Sequence, residues 1–176
     1  RNQETSKGIN QLEIWEVTKK DSTTWDEPKR MSINNPSFSN FHPSVTADGK
    51  RLYFASDRPG GFGKSDIYYI DKKSDNSWTD MVNMGSVVNT DQDELYPSII
   101  GNELYYSSNG HKGLGGLDIN KYDLKTKANE NLGFPVNSDG DDFAYITEDG
   151  KKGFLSSNRY GSDDILHFDY EKKYLK

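Results

Sequence analysis

Three acids at a near-constant interval, two of them beside glycine-rich loops, are the residues of this chain with the clearest capacity for chemistry. Asp66, Asp118 and Asp164 lie 52 and 46 residues apart. The first two follow Pro59-Gly60-Gly61-Phe62-Gly63 and Gly113-Leu114-Gly115-Gly116. A carboxylate in that setting suggests an acid–base residue or a phosphate cradle. A P-loop, however, needs GxxxxGK[ST] leading into a helix whose N-terminus faces the phosphate. Here a strand follows, and the Lys-Ser/Thr pair is missing from that register. The acids also recur once per repeat, whereas an active site is normally built once. Their pattern fits structural turn acids: a carboxylate at the start of a strand accepts N–H bonds from the preceding loop and pins its turn.

A second acidic group marks the steps between repeats. Asn89 precedes Asp91, Asp93 and Glu94, and Asn137 precedes Asp139, Asp141 and Asp142. Closely spaced oxygen donors of this kind could hold Ca²⁺. Neither copy follows DxDxDG with a closing Glu, and the earlier equivalent, NNPSFSNF from Asn34, has no acid at all. A structural turn or a channel lining is the stronger reading, and those six acids stand as the candidate cation ligands. Enzyme signatures are lacking: there is no GxSxG elbow and no HExxH, and the only histidines are His42, His111 and His167. His42 precedes Pro43 at a repeat boundary where Tyr96 takes the matching place, which reads as packing. With no cysteine there is no disulfide, thiolate metal site or Cys nucleophile. No cofactor is expected. A net charge of −6 disfavours nucleic acid, which needs a basic surface to neutralise its phosphates. No stretch approaches the roughly 20 apolar residues of a membrane span.

The elements that must position these residues are written three times: LYFASDRPGGFGKSDIYYI from Leu52, LYYSSNGHKGLGGLDINKY from Leu104, and GFLSSNRYGSDDILHF from Gly153. Ser56, Ser108 and Ser157 recur at intervals of 52 and 49. A period of roughly 40–50 residues with several short strands per unit marks propeller blades. A hairpin precedes each unit, with two-residue turns expected at Asp48-Gly49, Gly101-Asn102 and Asp149-Gly150. The innermost strands are expected to start near Pro43, Pro97 and Ala144, and a weaker fourth strand follows each Asp-Ile strand. Aromatics at 12% and 16 glycines suit small sheets packed face to face. No 3.6-residue apolar stripe appears, so helix is not expected. Glu13-Ile14-Trp15 sits 53 residues before Asp66-Ile67-Tyr68. Residues 1–33 therefore read as the second half of a blade, and 34–85, 86–133 and 134–176 as a blade each. The fold expected is all-β: a propeller segment of about three and a half four-stranded antiparallel blades within a larger propeller, its remaining blades upstream. Such an arc would expose sheet edges and be marginally stable or self-associating.

At HPSVTADGKRLYFASDRPGGFGKSDIY, GLGGLDI, VNSDGDDFAYI and SSNRYGSDDI, in that order, the chain resembles the WD40-like, TolB-type propeller repeats of OmpA-family envelope proteins. It resembles, among the members of that family, the propeller of PorE-like proteins of the type IX secretion and gliding machinery. The resemblance covers roughly residues 40–168. Asn120, where an aromatic usually follows Asp-Ile, and the shortened loop Tyr160-Gly161-Ser162 depart from the pattern. The resemblance implies a periplasmic, outer-membrane-associated, non-enzymatic scaffold whose partners are other envelope proteins. Peptidoglycan would be reached only through a domain not in this chain.

The loops between second and third strands carry Arg58, Phe62, His111, Leu114, Arg159 and Tyr160. If they emerge on one rim, they form a ring of aromatic and cationic groups, the favoured anchors of protein interfaces. Alternatively, Arg58 and Arg159 pair with neighbouring acids. Two other functions stay open: a carbohydrate- or peptide-binding propeller using its central cleft, and the accessory propeller of a prolyl-oligopeptidase-like hydrolase.

Overall fold

The computed structural model describes residues 2–4 and 10–170, with side chains from residue 11 onward. All regular structure among them is strand. β1 (Asn2–Glu4) pairs with β2 (Asn10–Leu12), and β3 (Trp15–Glu16) with β4 (Lys29–Arg30), each as an antiparallel ribbon. β5 (Asn40–Val45), β6 (Arg51–Ser56), β7 (Asp66–Asp71) and β8 (Val82–Asn83) form a four-stranded sheet in chain order, the first blade. β9 (Glu94–Ile100), β10 (Glu103–Ser108), β11 (Asp118–Asp123) and β12 (Asn129–Asn131) repeat it as the second blade. β13 (Asp142–Thr147), β14 (Lys152–Ser157) and β15 (Asp164–Asp169) make the third. Residues 1 and 5–9 of the half-blade, and a fourth strand for the third blade after Tyr170, lie outside the described residues. The chain is an open arc of a β-propeller.

The sequence reads as near-continuous apolar runs in the second strands because those strands are covered on both faces. Leu52 to Ser56 and Leu104 to Ser108 are buried without interruption. Alternate side chains serve alternate neighbours. Leu52, Phe54 and Ile70 pack on Ile14, Met31 and Ile33 of the half-blade. Tyr53, Ala55 and Ile67 pack forward on Val88, Leu104, Tyr106 and Tyr122. Tyr105 and Ile119 pack forward again on Val136, Tyr145 and Leu155. Each blade thus has a leading face toward its predecessor and a trailing face toward its successor, and the core lies between sheets rather than within one.

The innermost strands differ from expectation in where they begin. They start at Asn40, Glu94 and Asp142 and run through a bulge instead of starting at it. At each bulge one residue adopts a left-handed backbone: His42 (φ 50), Tyr96 (φ 52) and Ala144 (φ 54). Pro43 and Pro97 follow two of these, where a missing N–H leaves the ladder intact. The hairpins also differ. Only Gly101-Asn102 is a two-residue turn, with Gly101 at φ 56 as its first central residue. The other two connections, 46–50 and 148–151, are longer. Thr46 and Thr147 close them with side-chain hydroxyls, and Gly49 (φ 69) and Gly150 (φ 74) supply the left-handed residue.

The third blade carries Gly153 where its siblings carry Leu52 and Leu104. The Phe168 ring fills the vacated space, and a Cβ at Gly153 would overlap both that ring and the Ile146 carbonyl. Replacing Gly153 by the Leu its siblings carry should therefore overpack the site and lower the unfolding free energy by about 1–3 kcal/mol. Urea denaturation would show the midpoint falling, and an unchanged midpoint would refute this packing.

Candidate functional site: the loop rim and the junctions beneath it

The glycine-rich loops are built around a buried carboxylate. Asp66 accepts the Phe62 N–H at 2.7 Å, the Gly63 N–H at 3.1 Å and the Asn83 side-chain amide at 2.8 Å. Asp118 accepts the Leu114 N–H at 2.6 Å and the Gly115 N–H at 3.4 Å. A side chain on Gly61 or Gly113 would occupy the position of the carboxylate oxygen itself, so each loop needs glycine there. Burial pushes the Asp118 pKa up, helped by the charge of Asp142, while the two loop amides pull against it. The third copy departs: Asp164 is exposed, and no loop amide is set against it among the described residues.

Beneath the loops, each blade is stitched to the next. Asn89 takes the Ile67 N–H at 2.8 Å and returns its own amide to the Ile67 carbonyl at 3.0 Å. Asn137 does the same to Ile119, at 2.8 and 2.9 Å. Asn34 clamps Ile14 likewise, at 3.0 and 2.6 Å. Sequence reading missed this clamp as a device. Its signal is the recurring apolar-Asn step, Ile33-Asn34, Val88-Asn89 and Val136-Asn137, which survives in the copy without acids. Alongside it, Lys64 donates its N–H to the Gln92 carbonyl at 2.8 Å and Gly116 to the Gly140 carbonyl at 3.1 Å. Gly63 and Gly115 lie so close to these crossing loops that a Cβ on either would overlap their backbone.

Three of the six candidate cation ligands, Glu94, Asp141 and Asp142, are occupied by donors of the protein. Glu94 accepts from the Thr90 N–H at 2.7 Å and the Thr90 and Ser108 hydroxyls at 2.6 and 2.7 Å. Asp141 accepts the Leu117 N–H at 2.8 Å and the Asn158 amide at 3.0 Å. Asp93 forms part of a parallel bridge with Ser65, and Asp91 and Asp139 are exposed at the loop tips. Among the described residues no three acids or histidines converge on one point.

Asp142 takes the Ser138 N–H at 2.6 Å and an Arg159 ion pair at 2.6 Å. Burial works to raise its pKa, but hydrogen bonds from Ser157, Arg159 and Ser138 prevail and lower it. Arg159 also reaches the Ser157 hydroxyl at 2.9 Å and the Pro135 and Val136 carbonyls. Arg159 is therefore an internal cation rather than a rim contact. His111 is drawn inward too: its Nε2 lies 2.8 Å from the Val88 carbonyl and 3.0 Å from the Tyr106 hydroxyl. The carbonyl before the clamp is thus satisfied by a different residue at each junction. Asn40 serves Ile33, His111 serves Val88 and Arg159 serves Val136.

What remains outward on the rim is apolar. Phe62 is 52% exposed, Leu114 54% and Tyr160 77%. Arg58 stays beside them, its guanidinium over the Phe38 and Tyr68 rings at 5.5 and 5.6 Å. Phe62 and Leu114 occupy the same position of successive loops, each with its backbone N–H fixed by the buried acid. A second concave feature lies on the inner strands. It is a cleft of about 340 Å³ lined by the three bulges, with His42 stacked on Tyr96 at 3.8 Å between centroids. His42 Nδ1 accepts the Tyr96 N–H at 3.3 Å, and burial lowers its pKa to about 4. The ring is neutral at pH 7, with its proton on Nε2.

No family model and no curated protein sequence matches the chain. Among solved structures it is similar to a protein described as TolB from Agrobacterium tumefaciens, at 15% identity and a TM-score of 0.62, over 96% of this chain and 56% of that one. It is also similar to a puromycin-hydrolyzing peptidase of Mycobacterium tuberculosis, at 16% identity and a TM-score of 0.52, over 86% of this chain and 22% of that one. The chain thus spans little more than half the length of the first structure and less than a quarter of the second. At these identities the likeness is one of fold, and the fold is the TolB-type β-propeller.

The junction chemistry gives two expectations. Asn137→Ala strips both partners from the buried Ile119 backbone and should cost on the order of 3 kcal/mol in urea unfolding. A loss below about 1 kcal/mol would show that water replaces the clamp. The second concerns acid. The folded pKa of Asp142 lies below its ordinary 3.8, so its contribution is complete above that value and is lost as pH falls through the folded value. Arg159→Ala removes a donor that lowers this pKa and strands a buried carboxylate, costing about 3 kcal/mol at pH 7. The variant's stability should then decline less steeply below pH 4 than that of the parent. A pair of parallel stability–pH curves would refute the coupling.

Proposed function

We propose that this chain is a non-enzymatic protein-interaction scaffold that docks partner proteins on its loop rim. The observation that carries the reading is the exposure of Phe62, Leu114 and Tyr160 on loops whose backbones are anchored beneath or beside them. Folding does not require apolar side chains at these tips, and rigid loops lose little entropy on binding. Arg58, poised between two rings, adds a cation suited to an interface.

The motif order from His42 to Ile165 supports a finer reading. The scaffold would work in the bacterial periplasm as part of an outer-membrane- and peptidoglycan-associated protein, in PorE-like type IX secretion or gliding machinery. Its partners would be other envelope proteins, and peptidoglycan would be held by a separate domain. The bulge-lined cleft supports a second reading, a carbohydrate- or peptide-binding propeller. There the neutral His42, stacked on Tyr96, offers a donor suited to uncharged ligands. The likeness to a peptidase structure supports a third, the accessory propeller of a hydrolase.

Photo-crosslinking in envelope preparations tests the rim directly. A benzophenone amino acid at position 62 or 114 should yield discrete protein adducts, and one at Val82, exposed on an outer strand, should not. Phe62→Ser with Leu114→Ser and Tyr160→Ser should abolish partner recovery and leave the melting temperature unchanged. Equal adducts from position 82, or full recovery by the triple variant, would move the function to the cleft or another face.

A further inference from the structure

The chain crosses from one blade to the next between two rim loops, and each crossing is acidic. Residues 90–94 read Thr-Asp-Gln-Asp-Glu, and residues 137–142 read Asn-Ser-Asp-Gly-Asp-Asp. The first crossing is held on one side by the Lys64 N–H, which donates to the Gln92 carbonyl at 2.8 Å, and by the Ser65–Asp93 bridge. On its other side the Asp93 N–H donates to the Asn109 side chain at 2.9 Å. The second crossing repeats the arrangement. Leu117 donates its N–H to Asp141 at 2.8 Å from one side, and the Asp141 N–H reaches the Asn158 side chain at 2.7 Å on the other. Asp91 and Asp93 therefore stand between the loops tipped by Phe62 and Leu114, and Asp139 and Asp141 between those tipped by Leu114 and Tyr160. Apolar tips and acids alternate along the rim.

The crossings also account for the net charge of the protein. Together they carry six acids and no lysine or arginine. Taking these six from the 28 acids of the chain leaves 22, the number of its lysines and arginines, so everything outside the crossings is balanced. The rim loops balance by themselves too, with Arg58, Lys64 and Lys112 against Asp57, Asp163 and Asp164. Among the described residues only Asp142 of the six meets a cation, Arg159. Glu94 is met by two hydroxyls and an amide, which bring no compensating charge. No donor of the described residues holds the side chains of Asp91, Asp93 or Asp139, and Asp91 and Asp139 are exposed.

We propose that the rim receives a basic segment of a partner protein, in which arginine or lysine side chains alternate with apolar ones. The inference rests on the reading of the rim as the docking surface and adds the chemistry of what docks there. Apolar partner side chains cover Phe62, Leu114 and Tyr160, and the cations between them meet the acids of the crossings. An uncharged partner seated on the tips would strip water from those carboxylates and return nothing for it. An acidic protein, a nucleic acid or an anionic membrane surface would add like-charge repulsion. Arginine suits the position best, because its planar fork takes two carboxylate oxygens while its flat face lies on a neighbouring ring. The backbone of each crossing is fixed from both sides, so the acids lose little freedom on binding.

The probe is a short fluorescent peptide of three Arg-Ser-Phe-Ser repeats, titrated into the 176-residue chain and followed by anisotropy. Its twin carries citrulline, the neutral counterpart of arginine with the same shape, in place of each arginine. At low salt the arginine peptide should bind at least about tenfold more tightly than its twin. Salt of about 0.5 M should remove most of that advantage by screening. Asp91→Asn with Asp93→Asn and Asp139→Asn should weaken the arginine peptide by about tenfold and leave the twin and the melting temperature unchanged. Equal affinity of the two peptides, absence of binding by either, or an advantage that survives the three Asn substitutions would overturn the inference. None of these outcomes touches the rim reading, which the crosslinks at positions 62 and 114 test separately. Phe62→Ser with Leu114→Ser and Tyr160→Ser should weaken both peptides. An effect of the Asn substitutions without any effect of these three would overturn the rim reading, and with it the alternation proposed here.

Discussion

A strand covered on both faces has backbone groups near its start that its own sheet leaves to others, and in this chain an asparagine from the next blade reaches them. The clamp on Ile14, Ile67 and Ile119 exchanges one N–H and one carbonyl for the two ends of a single side-chain amide. Buried backbone groups left unpaired cost more than an ordinary hydrogen bond gains, so the clamp sets which residue must stand at the junction. It also fixes the angle at which one sheet meets the next. Everything above it, including the glycine loops and their acids, inherits that placement.

The junctions show how a repeat tolerates drift without losing its geometry. The carbonyl preceding each clamp needs a donor, and Asn40, His111 and Arg159 supply it from different positions. Where the donor is a cation, the paired strand of its own blade supplies the counter-charge: Arg159 is matched by Asp142, at the position that Asn40 and Glu94 hold in the other blades. In the first blade Asn40 performs the task uncharged. Arg58, which occupies the position of Arg159, is then released to lie over Phe38 and Tyr68 near the rim. A structural substitution at one site thus changes which side chain the surface presents at another.

The same economy links rigidity to the rim. The carboxylates of Asp66 and Asp118 fill the space that side chains on Gly61 and Gly113 would need, and they hold the backbone of Phe62 and Leu114 in place. Apolar side chains on anchored loops bind with little ordering cost. The opposite strategy appears in the inner strands, where His42, Tyr96 and Ala144 adopt a backbone costing of order 1–3 kcal/mol each. Stacking of His42 on Tyr96 and the bond from the Tyr96 N–H help to hold that geometry.

By itself the sequence determined the architecture. Its triplicated strands, the glycine before each buried acid and the pairing of Glu13-Ile14 with Asp66-Ile67 are local or periodic facts, and periodicity is what a repeat fold turns into space. The apolar rim positions were legible for the same reason, since loop tips at equivalent positions project alike. Only the tertiary structure decided which polar groups meet. Arg159 turns inward because Asp142 lies across the strand pair, and His111 because Tyr106 and the Val88 carbonyl converge on it. Asp164 repeats the Asp-Ile step but follows the shortened loop Tyr160-Gly161-Ser162, and it stays in solvent. Composition and spacing record what one blade offers, while burial and hydrogen bonding belong to the pair.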